Sequence, residues 1–327
     1  MERGEQMQKV NKRRKKKNTY YPDMCFGLLI LLIVSFFFHG INVVINFSVS
    51  VISAILFDYV GCKIIKHKFR VKNCHAVFIG GLIVLMLPAS APLWLPVLGC
   101  AFAVFLVKTP FGSLNSAPFS SVAAGVAFLS ICRPDLVFNY ASAEFGTVSI
   151  ARSLSQGTPV VTAVDLINAF IGSVPGGAGM TCAVAMIGLL FFVLIRHPQS
   201  FINSFFFLLT CFAGGVILTA VSIDHFFTVN SMRIILLRMC SGFTLCTAVF
   251  FVTEDPLSPR KKGKRIFYSV MMGVVYIILG QVSEFEDAGC FAVLLTNAFW
   301  PVAEKYIFIP LRNKKEVTAV ESAESLS

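Results

Sequence analysis

Charge is what this sequence has least of. Asp, Glu, Lys and Arg together make up 14% of its 327 residues, against 56% hydrophobic. Soluble domains carry about 25% charged residues, so a mean hydropathy of +0.77 excludes a soluble globular chain. Disorder is excluded by the same composition, because a chain with 33 Phe would collapse rather than stay solvated. Alternation of apolar and polar residues is also missing. The apolar residues come in continuous runs, which argues against a β-barrel and for membrane-spanning helices. The ten cysteines include no CxxC pair and no CxxCH haem-attachment motif. Scattered inside apolar runs, they read as small packing residues, and they cannot build an iron-sulfur centre within one chain. The five histidines, at 39, 67, 75, 197 and 225, show no helical spacing suited to paired haem ligands.

What remains is a polytopic all-α membrane protein. A span of the hydrocarbon core takes roughly 20 apolar residues. Breaks at Pro, Gly and charge divide the chain into about ten runs: Met24 to Phe38, Ile41 to Gly61, His75 to Leu87, Leu93 to Val107, Ser121 to Cys132, Cys182 to Ile195, Phe201 to Val221, Ile234 to Val252, Ile266 to Gln281 and Cys290 to Ile307. Only His39-Gly40 divides the first two, so one long span with an extension is the alternative there. Asn11 to Lys17 (NKRRKKK) resembles a signal-peptide n-region, but no small-residue cleavage site follows, and the first run reads as a retained helix.

With ten spans and both termini inside, 24 of the 28 Lys and Arg face the cytoplasm, and only Arg133, Arg152, Arg233 and Arg238 lie outside. That asymmetry follows the positive-inside rule. It also accounts for the net charge of +11 without nucleic acid, since the basic residues sit at the ends of apolar runs rather than on one face. The expected organisation is a basic cytoplasmic segment at 1–23, a first helix group at 24–132, an extracytoplasmic loop at 133–179, a second helix group at 180–308 and a cytoplasmic tail at 309–327. Long loops tend to carry the chemistry.

Two segments invite chemistry. In Ser153-Leu-Ser-Gln-Gly-Thr-Pro159, the proline pushes Thr158 towards extended backbone. Gly157 leaves the Thr158 hydroxyl unshielded, and Arg152 could neutralise an attached phosphate. An ordinary loop turn is the alternative. In Gly172 to Thr181, the glycines, Gly176, Gly177 and Gly179 among them, precede a helix and could present N–H groups to a phosphate. A re-entrant turn is the alternative there. Asp255, beside Glu254 and ahead of a basic cluster, fits a solvated helix terminus. Arg238, a few residues inside an apolar run, is either snorkelling or functional. Glu144, Glu284, Glu286 and Asp287 read as solvated loop charge.

Ser155-Gln156-Gly157-Thr158-Pro159 resembles the SGAT-Pro flavinylation motif of the D-type component of Rnf-type electron transport complexes, to which the B-type component of the sodium-translocating NADH:quinone reductase is similar. Gln156 and Gly157 stand where the family has Gly and Ala. Four further stretches follow in family order. Leu85-Met-Leu-Pro-Ala-Ser-Ala-Pro-Leu-Trp94 resembles LxLPPxxPxW. Lys108-Thr-Pro-Phe-Gly-Ser-Leu114, with Pro118-Phe119 and Gly125, resembles K-x-x-FGGLGxNxFNPAxxG, with Ala117, Ser120 and Ser121 in place of Asn, Asn and Pro. Gly172 to Thr181 resembles GxxPGSxGET, with Met180 replacing the acidic residue. Phe250-Phe251, Asp255-Pro256 and Ser258-Pro259 resemble FFMATDPxTSP, and Glu286, Asp287, Phe291 to Leu295, Asn297 and Pro301 fit EGxxFAxLLxN.

The resemblance implies a membrane subunit that relays electrons through FMN esterified to Thr158, with Ser155 and Gly157 in the attachment motif, coupled to Na+ or H+ movement. Gly176, Gly177 and Gly179 would suit FMN or a second, riboflavin-like flavin, and Asp255 and Arg238 become coupling candidates. It further implies the other subunits of an Rnf-type complex, including a flavinylated G-type subunit, a flavin transferase and the inner cell membrane. A scaffold subunit that has lost its flavin, or a non-redox transporter, are the rival readings.

Overall fold

The computed structural model describes residues 20–65, 74–111, 118–140, 166–172, 174–222, 229–240, 242–254, 257–259, 261–282 and 288–308, and among them there is no strand. All ten apolar runs are helical. Helix α1 (Tyr20–His39) and helix α2 (Ile41–Ile64) are separate, as the break at Gly40 requires. Gly40 has φ 72°, a left-handed conformation that L side chains rarely adopt. The first helix starts at Tyr20, so residues 20–23 belong to it rather than to the basic segment ahead of it.

Helices α1, α2, α9 (Pro198–Ser222) and α12 (Lys262–Val282) are each long and apolar enough to cross a membrane. The run ending at Val252 is not one straight helix. It is α10 (Val229–Cys240) and α11 (Gly242–Cys246, continued by Thr247–Phe251), two helices bent at 55°, the geometry of a broken span or a re-entrant loop. The remaining helices are shorter: α3 (His75–Met86), α4 (Trp94–Phe102, continued by Ala103–Lys108), α5 (Ser121–Cys132), a single turn α6 (Pro134–Val137), α7 (Leu166–Ile171), α8 (Ala183–Arg196) and α13 (Ala288–Ala303, continued by Glu304–Phe308).

The long and short helices play different parts. Along α1 and α2, Phe26, Leu29, Ile33, Phe37, Ile41, Ile45, Ile52 and Leu56 are all exposed, an apolar stripe that water would not tolerate and lipid does. By contrast, α3 buries every residue but Val77. At 12 residues it is about 18 Å long, short of a hydrocarbon core of about 30 Å, so its ends must be met by protein.

One core joins both helix groups. Phe78 of α3 meets Phe250 of α11 with ring centroids 6.2 Å apart, and α5 packs against α13, as α1 does against α8. The chain runs back and forth, so polar contacts gather at two ends of the bundle. The Trp94 end holds Ser35, Asn46, Ala91 and Ala178; the Lys108 end holds Asp23, Asp58, His197 and Thr253.

Candidate functional site

The family-like stretches meet in pairs, one pair at each end. At the Trp94 end, the Gly-rich segment caps the short helix α3. The last carbonyls of a helix have no partner within it. Here Leu85 O accepts from Gly179 N and Leu87 O from Ala178 N, both at 2.8 Å. Met180 N closes the turn on Gly177 O at 2.8 Å. Side chains from the long helices fix the arrangement: Ser35 Oγ donates to Ala178 O at 2.7 Å, and Asn46 Nδ2 to Ala91 O at 3.1 Å.

This geometry corrects the reading of the glycines. Gly179 spends its N–H on Leu85, so it does not offer that group to a phosphate. Glycine is required there by close approach. A Cβ on Gly179 would sit 2.8 Å from Leu85 Cβ, and one on Gly177 would sit 2.5 Å from Met86 O. Gly176 is less confined, with Thr181 Cγ2 at 3.2 Å from its ideal Cβ. Met180 is buried in the core.

Arg238 lies on α10, just before the bend. With the Gln281 amide oriented to suit its neighbours, its carbonyl oxygen accepts from both Nη atoms at 2.7 and 3.0 Å. No carboxylate pairs with this guanidinium among the described residues. Arg238 O accepts from Thr244 Oγ1 at 3.1 Å, and that hydroxyl meets Tyr276 OH at 2.7 Å. Arg238 is thus held by neutral partners, not snorkelling free. Helix α7, which follows Thr158 in the chain, packs against α10.

At the Lys108 end, the described residues between Phe250 and Pro259 are clamped by three helices. Tyr20 OH of α1 meets Thr253 Oγ1 at 2.9 Å and reaches Phe250 O at 3.4 Å. Asn203 Nδ2 of α9 donates to Val252 O at 3.2 Å and Ser258 Oγ at 3.1 Å. Arg265 of α12 donates from Nε to Pro259 O at 2.7 Å and from Nη1 to Gln199 O at 2.6 Å. Nearby, Asp23 bridges Arg196 at 2.8 Å and His197 at 3.0 Å, and Lys108 pairs with Asp58 at 2.8 Å. Helices α4 and α11 both finish here on wide turns, Thr109 N bonding Val104 O and Val252 N bonding Thr247 O. Such i to i−5 turns recur at functional sites.

The clamp has a consequence that the sequence reading missed. Glu254 is not part of a solvated salt-bridge cluster; it is 5% exposed and no cation pairs with it among the described residues. Burial pushes its carboxyl up to about 7 from an ordinary 4.5, against the opposing influence of the Ser120 hydroxyl. Thr158, Ser155, Gly157 and Asp255 lie outside the described residues, as do Glu144, Glu284, Glu286 and Asp287.

The model of the NQR2, RnfD, RnfE family matches residues 9–310. This chain belongs to that family. Among its relatives, the D-type component of the ion-translocating oxidoreductase complex of Methanosarcina acetivorans is 26% identical over 298 residues, covering 88% of this chain and 91% of its own. The D-type component of the Na(+)-translocating ferredoxin:NAD(+) oxidoreductase complex of Acetobacterium woodii is 25% identical, covering 91% and 92%. The corresponding component of the ion-translocating oxidoreductase complex of Tolumonas auensis is 21% identical over 272 residues, covering 72% and 77%. Membership in the NQR2, RnfD, RnfE family thus spans both ends of the bundle.

Proposed function

We propose that this chain is the D-type membrane subunit of an ion-translocating oxidoreductase complex and relays electrons through FMN esterified to Thr158. The observation that carries the reading is how the family's stretches are held. The Leu85–Trp94 turn seats the Gly-rich segment at one end, and Tyr20, Asn203 and Arg265 hold the described residues of the Phe250–Pro259 segment at the other. A scaffold that merely filled space would not need both to be held by directed hydrogen bonds.

The described residues fit a flavin phosphate at the Trp94 end. Arg238 keeps a guanidinium in a half-buried place beside a neutral amide, which leaves its charge for an anion. Thr158 is eight residues from the start of α7, a separation that extended chain spans in up to about 27 Å, and α7 rests on the helix that bears Arg238. Gly176 and Gly177 line the same end, while Ser155 and Gly157 complete the attachment motif. Bound there, FMN supplies the one- and two-electron chemistry; the protein positions it, excludes water and sets the local charge.

By the positive-inside rule the Trp94 end faces out of the cell and the Lys108 end, with both termini, faces the cytoplasm of the cell membrane. Electrons are exchanged with the other subunits of the complex, among them a flavinylated G-type subunit, and a flavin transferase loads Thr158. The redox steps are coupled to movement of Na+ or H+, with Asp255 as a coupling residue.

Covalent flavin survives denaturing electrophoresis, so the test is in-gel fluorescence of wild type and Thr158→Ala, each expressed with a flavin transferase of the family's type. A fluorescent wild-type band that Thr158→Ala lacks is the expected result. A dark wild-type band would refute flavinylation at Thr158 and put the scaffold reading first.

A further inference from the structure

The Lys108 end holds an ionisable group that none of the motif residues accounts for. Glu254 follows the clamped Thr253 and is sealed from solvent, and its Oε2 has no hydrogen-bond partner among the described residues. Beside it lies Ser120, 1% exposed, whose hydroxyl acts on the carboxyl but completes no well-directed hydrogen bond of its own. Ser120 caps helix α5, so the carboxyl stands by a helix N-terminus, where partial positive charge favours an anion. Tyr268 of α12 donates to Asn297 Oδ1 at 2.6 Å and is near enough for its charge and that of Glu254 to interact. Asn297 Nδ2 and Thr296 Oγ1 are likewise buried without partners.

A buried ionised carboxylate with no cation is costly, and such a group relieves the cost by taking a proton. Two unpartnered, enclosed oxygens on neighbouring side chains are a receptor for something small. A hard metal cation collects several oxygen ligands, more than one carboxylate and one hydroxyl supply, whereas a proton needs one.

We propose that Glu254 and Ser120 form a buried proton-binding site, and, resting on the function proposed above, that this site loads and releases a proton during ion translocation. The step is an acid–base exchange. A proton from water on the cytoplasmic side forms an O–H bond on Glu254 Oε2, Ser120 Oγ accepts a hydrogen bond from it, and the proton later returns to water with no electron moved at this residue.

Among the described residues, the charged groups of the neighbouring elements are engaged by other partners. Arg265 on α12 is committed to the Pro259 and Gln199 carbonyls, and Tyr20 on α1 to Thr253 and Phe250. Asp23 is held by Arg196 and His197, and Lys108 by Asp58. Tyr268 on α12 is the neighbouring phenol, and Asp255 follows in the chain outside the described residues.

Infrared titration of the purified full-length chain in lipid nanodiscs reads the site directly. The C=O stretch of a protonated carboxyl should vanish with a midpoint near about 7, be missing in Glu254→Gln, and move to higher pH in Ser120→Ala, which removes the group favouring the charged form. Gln keeps the size of Glu and mimics its neutral form, so folding is preserved, and the Ser120→Ala shift is an independent check. A band that persists in Glu254→Gln, or a midpoint in the range of an exposed carboxylate, would overturn the site. A midpoint that falls as sodium is raised would also overturn it, because the carboxylate would then be binding sodium.

The coupling role is read in inverted vesicles containing the whole complex. Glu254→Gln should lose redox-driven transport while keeping in-gel flavin fluorescence; transport at the wild-type rate across pH would remove the coupling role. Wild-type vesicles with no redox-driven transport would instead sink the proposed function, and the infrared titration would still stand on its own.

Discussion

Replacing Gly177 with alanine should unseat the cap of helix α3, and the size of the loss follows from what the new methyl meets. Its Cβ would lie 2.5 Å from Met86 O and 2.9 Å from Met86 C, both backbone atoms that cannot rotate away. The segment must therefore withdraw, and the two hydrogen bonds beside it, Ala178 N to Leu87 O and Gly179 N to Leu85 O, open in a buried place. Each buried group left unpaired costs about 1–3 kcal/mol. If the segment stays and strains instead, overpacking costs about 1–3 kcal/mol. The expected loss is therefore about 2–6 kcal/mol if both bonds open and about 1–3 kcal/mol if the segment strains in place.

Two other glycines calibrate that figure. Gly176→Ala meets only Thr181 Cγ2 at 3.2 Å, a side-chain atom that can turn, so about 1 kcal/mol or less is expected. Gly188→Ala, in the middle of α8, has nothing within 4 Å of the new methyl and should be neutral or gain up to about 1 kcal/mol of helix propensity. Heating detergent-purified protein and measuring the monodisperse fraction by size exclusion ranks the three. The order expected is Gly188→Ala at or above wild type, then Gly176→Ala, then Gly177→Ala well below. Equal stability of Gly177→Ala and Gly188→Ala would refute the cap. Loss of flavin without loss of stability would return the glycines to a phosphate-binding role.

Three further outcomes can be measured on the same material. Cys132 is exposed at the end of α5, so a membrane-impermeant maleimide should label it on intact cells, with Cys132→Ser as control; labelling confined to inside-out vesicles would invert the topology. Asp58→Asn should cost about 3 kcal/mol by leaving the Lys108 ammonium, 14% exposed, without its partner, and Lys108→Met in the same chain should recover most of it; additive losses in the thermal assay would mean the pair contributes nothing. Glu254 should make stability fall as pH rises. Its pKa is higher folded than unfolded, so the folded state holds the extra proton, and the contribution is complete below about 4.5 and lost through about 7. That span amounts to about 3 kcal/mol, and Glu254→Gln should flatten the pH dependence of unfolding.

Much of this fold is written in the hydropathy of the chain. Every apolar run is helical, although the one ending at Val252 is two helices, and Gly40 divides the first two as a residue able to take φ 72° can. Sequence is less informative about helices whose ends are met by protein. Nothing in HAVFIGGLIVLM says that it is buried on all sides and capped by residues some ninety positions later, because the partner carbonyls and amides belong to backbone, which has no letter of its own. The same gap hid the function of Gly177 and Gly179: glycine is legible as freedom or as space, and only the distance to Met86 and Leu85 decides between them. Glu254 was illegible for a different reason. A carboxylate before Asp-Pro and a run of lysines reads as solvated, and its burial depends on Tyr20, Asn203 and Arg265 closing the segment from three helices.

The departures from the family's motifs become intelligible when the two ends are compared. At the Trp94 end, where the resemblance places an acidic residue, Met180 fills a core position, 1% exposed, against the turn that caps α3. At the Lys108 end, where the resemblance places a threonine, Glu254 brings in a carboxyl group, and Ser120 replaces an asparagine beside it. An asparagine amide at position 120 would donate a permanent hydrogen bond and hold the carboxylate charged. A serine hydroxyl can donate or accept, and so tolerates both protonation states. The pair of substitutions thus has a single physical sense: a buried carboxyl is placed in the segment that Tyr20, Asn203 and Arg265 clamp, beside a neighbour that does not force its charge. Ser120→Asn should then depress the infrared midpoint of Glu254, opposite in sign to Ser120→Ala, and a shift in the same direction for both would show that the hydroxyl acts only by filling space.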